Sequence, residues 1–304
     1  MSATNRLKAL LLLSILLSLI VIFLGVLLFL LPPSGEAPLE EAPESAEVPA
    51  EEDAEEPGPR APEGVEEEPG ETAEAGEEAG AAIPEERYRI YLVVDDAGHD
   101  PADLEPYLSL PVPLTVAILP DRRASKEALQ AARLAGVESI LHLPMEPTGV
   151  ANPGAGALLT SQTDEEIAAL LRSHLRSLPG VIGVNNHMGS LATTDPRVMD
   201  VVMSTLAEEG LFFLDSRTTP LSVAAAAAEA RDVPYAERTV FLDNERSRDA
   251  VAVQLDEAAR LAEKKGYAVV IGHVTSPVVA RVVTERYEAY RDRGIAFYPL
   301  SALF

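Results

Sequence analysis

Short apolar runs alternate with segments of helical periodicity from residue 85 to residue 304, and this alternation constrains the fold more than any other feature. Eight runs have the length and composition of buried strands: 89–94, 114–119, 138–143, 181–184, 211–214, 239–242, 268–271 and 295–298. Helix-end signals lie between them, such as the capping box of Thr163 with Glu166 and Asp195 before Pro196. The pattern predicts an α/β fold with a parallel sheet, a distorted (β/α) barrel of about seven to eight strands. An open doubly wound sheet is the alternative.

A transmembrane anchor is predicted ahead of this region. Residues 9–31 form a run of 23 residues without charge, bounded by Lys8 and Pro32. A helix of that length measures about 35 Å and can cross a hydrocarbon core of about 30 Å. A cleaved signal peptide is the alternative, but its apolar region is shorter. Because Arg6 and Lys8 precede the run, we predict a single-pass protein of the cytoplasmic membrane, N-terminus inside and C-terminal domain periplasmic or extracytoplasmic.

Residues 36–84 are predicted to be a disordered linker. They contain 18 acidic residues, a single base (Arg60) and no aromatic residue. Such a segment cannot bury enough apolar surface to offset the entropy lost on ordering. The predicted organisation is therefore a cytoplasmic stub and anchor over residues 1–35, an acidic tether over residues 36–84, and a barrel domain over residues 85–304.

The overall composition excludes several classes of function. The formal net charge is −25, and residues 85–304 are themselves acidic, with 31 acids and 21 bases. A nucleic-acid partner is not expected, because phosphate binding depends on Lys and Arg. The absence of cysteine excludes disulfide scaffolds, thiolate metal sites and thiol catalysis.

Polar and ionisable side chains follow six of the predicted strands. They are Asp95 and Asp96; His142, with Glu146 just beyond; Asn185, Asn186 and His187; Asp215 and Arg217; Asp243, Asn244 and Glu245; and His273. In a parallel barrel the carboxyl ends of all strands point to one face, where active sites form. A lone acid at such a position is more often a helix cap. Three histidines and a pair of adjacent carboxylates instead indicate a divalent metal, Zn²⁺ by preference and Co²⁺ or Mn²⁺ otherwise.

The motifs that carry these residues resemble one known family. VVDDAGHD, LTVAILP, LHLPMEP, GVNNHMGS, FFLDSRTT, FLDNE and VVIGHV occur in this order and resemble the divergent polysaccharide deacetylase family of bacterial envelope proteins. The resemblance implies a carbohydrate-deacetylase type of barrel. It also implies metal-dependent removal of acetyl groups from an N-acetylated glycan of the cell envelope, with peptidoglycan as one candidate.

The resemblance further implies a metal site formed by Asp96, His142 and His187. Ordinary polysaccharide deacetylases supply two metal histidines four residues apart, whereas this chain has Glu146 at the second position. Either Glu146 replaces that ligand or His187 supplies the second imidazole.

Catalytic roles are implied in the same way. Asp95 resembles the general base, His273 the acid that protonates the leaving group, and Asp215 with Arg217 the pair that orients catalytic groups. Two other functions remain open at this point. One is a non-catalytic module that binds envelope glycan or protein on the same barrel, and the other is an esterase or amidase with another substrate.

Overall fold

Strands and helices alternate along residues 86–304, the part of the chain that this computed structural model describes. The strands are β1 (Tyr88–Ala97), β2 (Thr115–Ile118), β3 (Glu138–Met145), β4 (Gly183–Met188), β5 (Phe212–Asp215), β6 (Tyr235–Glu237), β7 (Val240–Phe241), β8 (Tyr267–His273) and β9 (Ile295–Tyr298). The helices are α1 (Glu105–Leu108), α2 (Ser125–Leu134), α3 (Asp164–Ser177), α4 (Pro196–Glu209), α5 (Ala224–Ala230), α6 (Arg248–Lys265) and α7 (Pro277–Asp292). Short 3₁₀ turns occupy Pro101–Asp103, Ala192–Thr194 and Leu300–Leu303.

The strands form one curled sheet in which every described pairing is parallel. Their order is β6-β5-β4-β3-β2-β1-β8-β7, and β9 pairs with the first residues of β1. Each of the eight predicted runs overlaps a strand, whereas β6 is not predicted. The sheet is consistent with the expected (β/α) barrel.

The two end strands of the sheet, β6 and β7, are consecutive in the chain. Only Arg238 and Thr239 separate them. The Arg238 N–H donates to the Asp215 carbonyl of β5 at 2.9 Å, and the Thr239 N–H donates to the Val269 carbonyl of β8 at 2.7 Å. The chain itself therefore joins the two ends of the sheet, and we call this junction the seam.

Apolar residues pack on both faces of the sheet. In β1, Ile90, Leu92 and Val94 belong to the core between the sheet and the helices, whereas Tyr91 and Val93 belong to a second core on the inner face. This is the alternation expected of a strand whose two faces are both buried. Asp95 is the next residue of β1 on the same face as Tyr91 and Val93, so the inner face of this strand changes from apolar to charged at its carboxyl end. We call these three residues the inner stripe of β1.

The predicted helix ends are confirmed. The Glu166 N–H donates to Thr163 Oγ1 at 3.3 Å, and the Thr163 N–H donates to Glu166 Oε2 at 2.9 Å, which completes the capping box of α3. Asp195 caps α4, and Gly210 ends it in the left-handed conformation with φ of 68°. These signals fix where each helix begins and hence the loops that reach the carboxyl ends of the strands.

The predicted membrane localisation is corrected. Among residues 86–304, no helix has both the length and the apolar character needed to cross a bilayer. The longest, α6, has 18 residues and is rich in charge, because only one of its faces packs on the sheet. The predicted anchor over residues 9–31 and the linker over residues 36–84 lie outside the described residues. The membrane assignment is therefore withdrawn, and the domain boundaries stay predictions.

Candidate metal centre

The end of β1 is irregular, and this irregularity places two adjacent carboxylates at the same site. The register with β2 shifts between Val94 and Ala97, and Asp96 adopts a φ of 66°. In a regular strand, successive side chains point to opposite faces, and a bulge re-aims one of them. Asp95 is 2% exposed, while the Asp96 side chain is 23% exposed. The bulge thus lets both neighbours contribute to one site.

Three side chains from β1, β3 and β4 converge at this point. Asp96 Oδ1 lies 3.2 Å from His142 Nε2 and 3.0 Å from His187 Nδ1. The two imidazole nitrogens are 3.1 Å apart. Because β3 and β4 are adjacent and parallel, histidines near their carboxyl ends meet without further distortion of the backbone. These three atoms form the cluster that could hold a metal ion in the described part of the chain.

The donor set fits a divalent cation. Nitrogen and oxygen ligands at about 2.0–2.1 Å from a tetrahedral Zn²⁺ lie about 3.3 Å from one another, close to the separations seen here. Asp96 Oδ1 is buried and has no hydrogen-bond donor among the described residues, as expected of an atom whose partner is a cation. One carboxylate with two imidazoles suits Zn²⁺ or another borderline metal.

Asn185 connects the metal cluster to Asp95. His142 Nδ1 donates to Asn185 Oδ1 at 2.8 Å, which leaves the lone pair of Nε2 directed at the cluster. Asn185 Nδ2 donates to Asp95 Oδ1 at 2.9 Å. Asn185 stands at the end of a predicted strand, but the sequence pattern alone indicated no role for it. Its position directly before Asn186 and His187 was the available signal.

His273 belongs to a separate hydrogen-bonded pair on the other side of β1. Its Nδ1 lies 3.0 Å from Asp243 Oδ1, and its main-chain N–H donates to Asp243 Oδ2 at 3.0 Å. Its Nε2 is 4.0 Å from Asp96 Oδ2. Asp243 therefore orients the ring so that Nε2 faces the carboxylates. Asp243 is a second residue of the candidate site whose part the sequence pattern did not indicate.

Burial and charge shift the pKa values of the carboxylates in opposite directions. Burial raises the pKa of Asp95, and the nearby histidines offset this only in part. Burial also acts to raise the pKa of Asp96, but the close contacts with the His142 and His187 imidazoles outweigh it and hold the pKa below its usual range. Two adjacent carboxyl groups thus differ in proton affinity.

The pKa values of the His142 and His273 imidazoles rise. Burial acts to lower the pKa of His142, but Asp95 and Asp96 outweigh it and raise the pKa to about 9. Burial likewise opposes the positive charge on His273, and the hydrogen bond to Asp243 outweighs it, so the pKa of His273 is raised. In the absence of a metal, both rings favour the imidazolium form.

Asp215 and Arg217 lie one strand further along the sheet. Asp215 is fully buried, its Oδ1 accepts from the Arg217 main-chain N–H at 2.7 Å, and its Oδ2 accepts from the Tyr235 hydroxyl at 3.2 Å. The Arg217 guanidinium pairs with Glu237 at 3.6 Å. Between them, Ser216 Oγ accepts from Asn185 Nδ2 at 3.3 Å. The structure therefore connects this segment to the metal cluster through Ser216.

The sequence of this chain is similar to a known protein family and to two bacterial proteins. The model of the divergent polysaccharide deacetylase family matches residues 92–304. The chain belongs to this family. The uncharacterized protein YibQ of Escherichia coli (strain K12) is 34% identical over 197 residues, which cover 65% of this chain and 61% of that protein. An uncharacterized protein of Haemophilus influenzae (strain ATCC 51907 / DSM 11121 / KW20 / Rd) is 32% identical over 192 residues, 63% and 69% of the two chains.

A solved structure supports the same fold. The crystal structure of an uncharacterized protein from Agrobacterium tumefaciens C58 has a TM-score of 0.67 and 25% sequence identity, and covers 73% of this chain and 91% of that one. This chain spans less than two thirds of the length of the E. coli relative.

In this member of the divergent polysaccharide deacetylase family, Glu146 and His187 have different surroundings. Glu146 Oε2 accepts from the Thr160 main-chain N–H at 2.6 Å and from its hydroxyl at 2.7 Å. That carboxylate oxygen thereby holds the loop after β3. His187 instead lies in the cluster with Asp96 and His142. The second imidazole therefore comes from β4, on the neighbouring strand.

Proposed function

We propose that this protein is a divalent-metal-dependent deacetylase that hydrolyses N-acetyl groups of a polysaccharide. The observation that carries the proposal is the meeting of Asp96, His142 and His187 within 3.0–3.2 Å at the strand ends that also bear Asp95 and His273. Membership of the divergent polysaccharide deacetylase family supports the same reaction class.

Asp96, His142 and His187 would hold the metal, with Zn²⁺ the first choice and Co²⁺ or Mn²⁺ as alternatives. A bound divalent cation supplies Lewis acidity, which polarises an acyl carbonyl and acidifies water. The protein contributes ligand orientation, because the hydrogen bond from His142 Nδ1 to Asn185 fixes which ring nitrogen faces the cluster.

Asp95 serves as the general base in this proposal. Its carboxylate is buried and held by Asn185, so its direction is fixed, and burial raises its pKa toward the range in which a carboxylate accepts a proton readily. Asp96, one residue away, stays ionised and available as a ligand. In this proposal, their different surroundings make Asp95 the base and Asp96 the metal ligand.

His273 serves as the general acid. An amine leaves an amide poorly unless it is protonated, so the reaction needs a donor on the leaving-group side. Asp243 holds His273 by two hydrogen bonds and favours its imidazolium form. The Nε2–H, which faces the carboxylate cluster, is the proton to be transferred. Asp215 and Arg217 support the chain around Ser216, and their predicted orienting role stays a prediction.

The test is acetate release from N-acetylated chito-oligosaccharides by the metal-loaded protein. Asp95→Asn should lower the rate by about 10²- to 10⁴-fold, the usual contribution of a general base, and leave metal content unchanged. Asp249→Asn, on the 95% exposed side chain at the start of α6, is the matched control and should retain full activity.

Three results would overturn the proposal. One is full activity of Asp95→Asn with metal bound. Another is glycan binding without acetate release by wild-type protein that retains its metal, which identifies a binding module. The third is acetate release from O-acetyl esters only, which identifies an esterase.

A further inference from the structure

A cleft of about 680 Å³ lies beside the seam, where β6 leads into β7. Its charged and aromatic lining comprises three cationic side chains, one carboxylate and two tyrosines: Arg217, Arg238, Lys265, Glu237, Tyr235 and Tyr267. An excess of positive charge is unusual in this domain, since residues 85–304 carry 31 acids and 21 bases. The volume falls within the range of small-ligand sites.

Arg238 is the fixed cation of this cleft. Its Nε donates to the Ser216 carbonyl at 2.7 Å and its Nη2 to the Arg217 carbonyl at 2.9 Å, while the guanidinium lies 4.7 Å from the centroid of the Phe241 ring. Both hydrogen bonds described for it go to main-chain carbonyls, so no bonded carboxylate neutralises its charge. Burial lowers the pKa of Arg238, and the charges of the nearby Asp215 and Asp95 offset this only in part.

The single carboxylate of the cleft is already engaged. Glu237 Oε1 lies 3.6 Å from Arg217 Nη1 and accepts from the Tyr235 hydroxyl at 2.9 Å. Among the residues that line the cleft, Arg238 and Lys265 therefore make no direct ion pair with a carboxylate, and both can attract an incoming anion. Tyr267, 43% exposed, adds an aromatic surface with a hydroxyl group at the same cleft.

Two intervening residues, Ser216 and Asn185, connect the cleft to the proposed general base. Ser216 Oγ accepts from Asn185 Nδ2, which also donates to Asp95, and the Ser216 carbonyl accepts from Arg238. Arg217 and Arg238 follow β5 and β6 at their carboxyl ends, the end of the sheet that carries the cluster, so these two cations lie on the side from which a polymer bound at the cluster extends.

We propose that the cleft binds a carboxylate of the polymer, so that the substrate is an acidic N-acetylated polysaccharide rather than a neutral one. This inference rests on the proposed function for the identity of the ligand, but the cleft is tested by binding alone. Arg238 and Lys265 supply positive charge. The Arg217 guanidinium contacts Glu237 and has further N–H groups that can donate to the incoming carboxylate.

The experiment compares two probes of equal length by titration calorimetry on the metal-loaded protein, with the Asp95→Asn variant in parallel to prevent turnover. A hyaluronan tetrasaccharide carries carboxylates and N-acetyl groups, whereas chitotetraose carries N-acetyl groups only. We expect the acidic probe to bind about 10- to 100-fold more tightly, the range of a charge-assisted hydrogen bond.

Variants assign the preference to the cleft. Arg217→Gln with Lys265→Ala should reduce it to near parity, whereas Lys264→Ala, on the neighbouring residue that does not line the cleft, should retain it. Arg238 is left intact because it holds the seam.

Equal affinity of wild-type protein for both probes would overturn the inference, as would a preference unchanged in the double variant. Tight binding of inorganic sulfate with no gain from the attached sugar would overturn it too, as a free-anion site. Acidic preference without acetate release from either probe would reject the proposed function and leave the cleft standing.

Discussion

The two ends of the barrel differ in chemistry although the same strands form both. At the carboxyl ends, the side chains of Asp96, His142 and His187 bring together three atoms that can bind a metal ion or a proton. At the amino ends, the 3₁₀ turn Leu300–Leu303 covers the inner core. Leu300 is fully buried, and Phe304 stacks on Phe212 with a centroid distance of 4.5 Å.

This difference separates function from stability along each strand. The inner stripe of β1 begins with Tyr91 and Val93, which belong to the apolar inner core, and ends with Asp95. Tyr91 donates its hydroxyl to the Ala302 carbonyl at 3.5 Å, so the amino end is closed by packing and main-chain contacts. In barrels of this type, the carboxyl face carries the reaction and the opposite face carries stability.

The largest expected effect is the loss of a metal ligand. His142→Ala removes one of three donors and also leaves Asn185 without its imidazole partner. Metal affinity should fall by more than about 100-fold, because the loss of an outer hydrogen bond alone costs about 10- to 100-fold. Competition with a chelator of known affinity measures the change.

His174→Gln is the matched control for that variant. His174 is as buried as His142, and its Nδ1 lies 3.2 Å from Asp121 Oδ2, but its Nε2 donates to the Gly156 carbonyl at 2.7 Å. A buried histidine near a carboxylate thus occurs twice, and only one of the two meets a second imidazole. If His174→Gln lowered metal affinity as much as His142→Ala, burial alone would explain the effect.

At the opposite end, Leu300→Ala should destabilise the fold and leave the metal site intact. Leu300 is fully buried in the inner core, and its main-chain N–H donates to Thr115 Oγ1 at 2.9 Å. Removing a buried leucine side chain costs about 2–5 kcal/mol of unfolding free energy. Denaturant titration checks the cost, with Leu134→Ala, at a 79% exposed side chain, as the neutral control. Reduced metal affinity in folded Leu300→Ala would contradict the separation of the two ends.

The sequence predicted most of the fold because its signals are local. Apolar runs marked the strands, and Thr163 and Asp195 marked the beginnings of two helices by interactions within a few residues. The sequence pattern did not predict strand β6, because this strand has only three residues, Tyr235–Glu237, and ends at the seam. Its pairing with β5 depends on the closure of the whole sheet, which no local pattern encodes.

The candidate site was predicted in its ionisable residues but not in their connections. Strand-end placement selected Asp96, His142 and His187 correctly as neighbours, because parallel strands bring their carboxyl ends together. Asn185 and Asp243 were assigned no role, since an amide or an acid after a strand is commonly a helix cap. Their importance depends on which ring nitrogen each one faces, and that requires the three-dimensional arrangement.

Asn185→Asp should keep the hydrogen bond from His142 and remove the one to Asp95, and so separate the two roles of Asn185. The new carboxylate can still accept from His142 Nδ1, but it can no longer donate to Asp95. Metal affinity should be retained, whereas acetate release should fall near neutral pH. A second carboxylate beside Asp95 raises its pKa, so the ionised base is lost at low pH and activity recovers as pH rises.

Asn185→Ala is the companion variant. It removes both hydrogen bonds, so metal affinity should fall by about 10- to 100-fold together with activity. Metal binding by calorimetry and the pH profile of acetate release separate the two variants. Identical metal affinities and pH profiles in the two variants would contradict the separate roles of the two Asn185 hydrogen bonds.

The smallest expected effect concerns the Asp243 and His273 pair. Asp243→Asn keeps an oxygen that can accept from His273 Nδ1 but removes the negative charge. That charge counteracts the lowering of the His273 pKa by burial, so the pKa of His273 should fall in the variant. Histidine NMR titration of the metal-free protein measures this change, with Asp256→Asn, whose carboxylate accepts from Tyr290, as a remote control. An unchanged pKa in Asp243→Asn would transfer the stabilisation of the imidazolium to Asp95 and Asp96. Asp243 would then belong with the residues that hold the fold, and the chemistry of the carboxyl end would stop at His273.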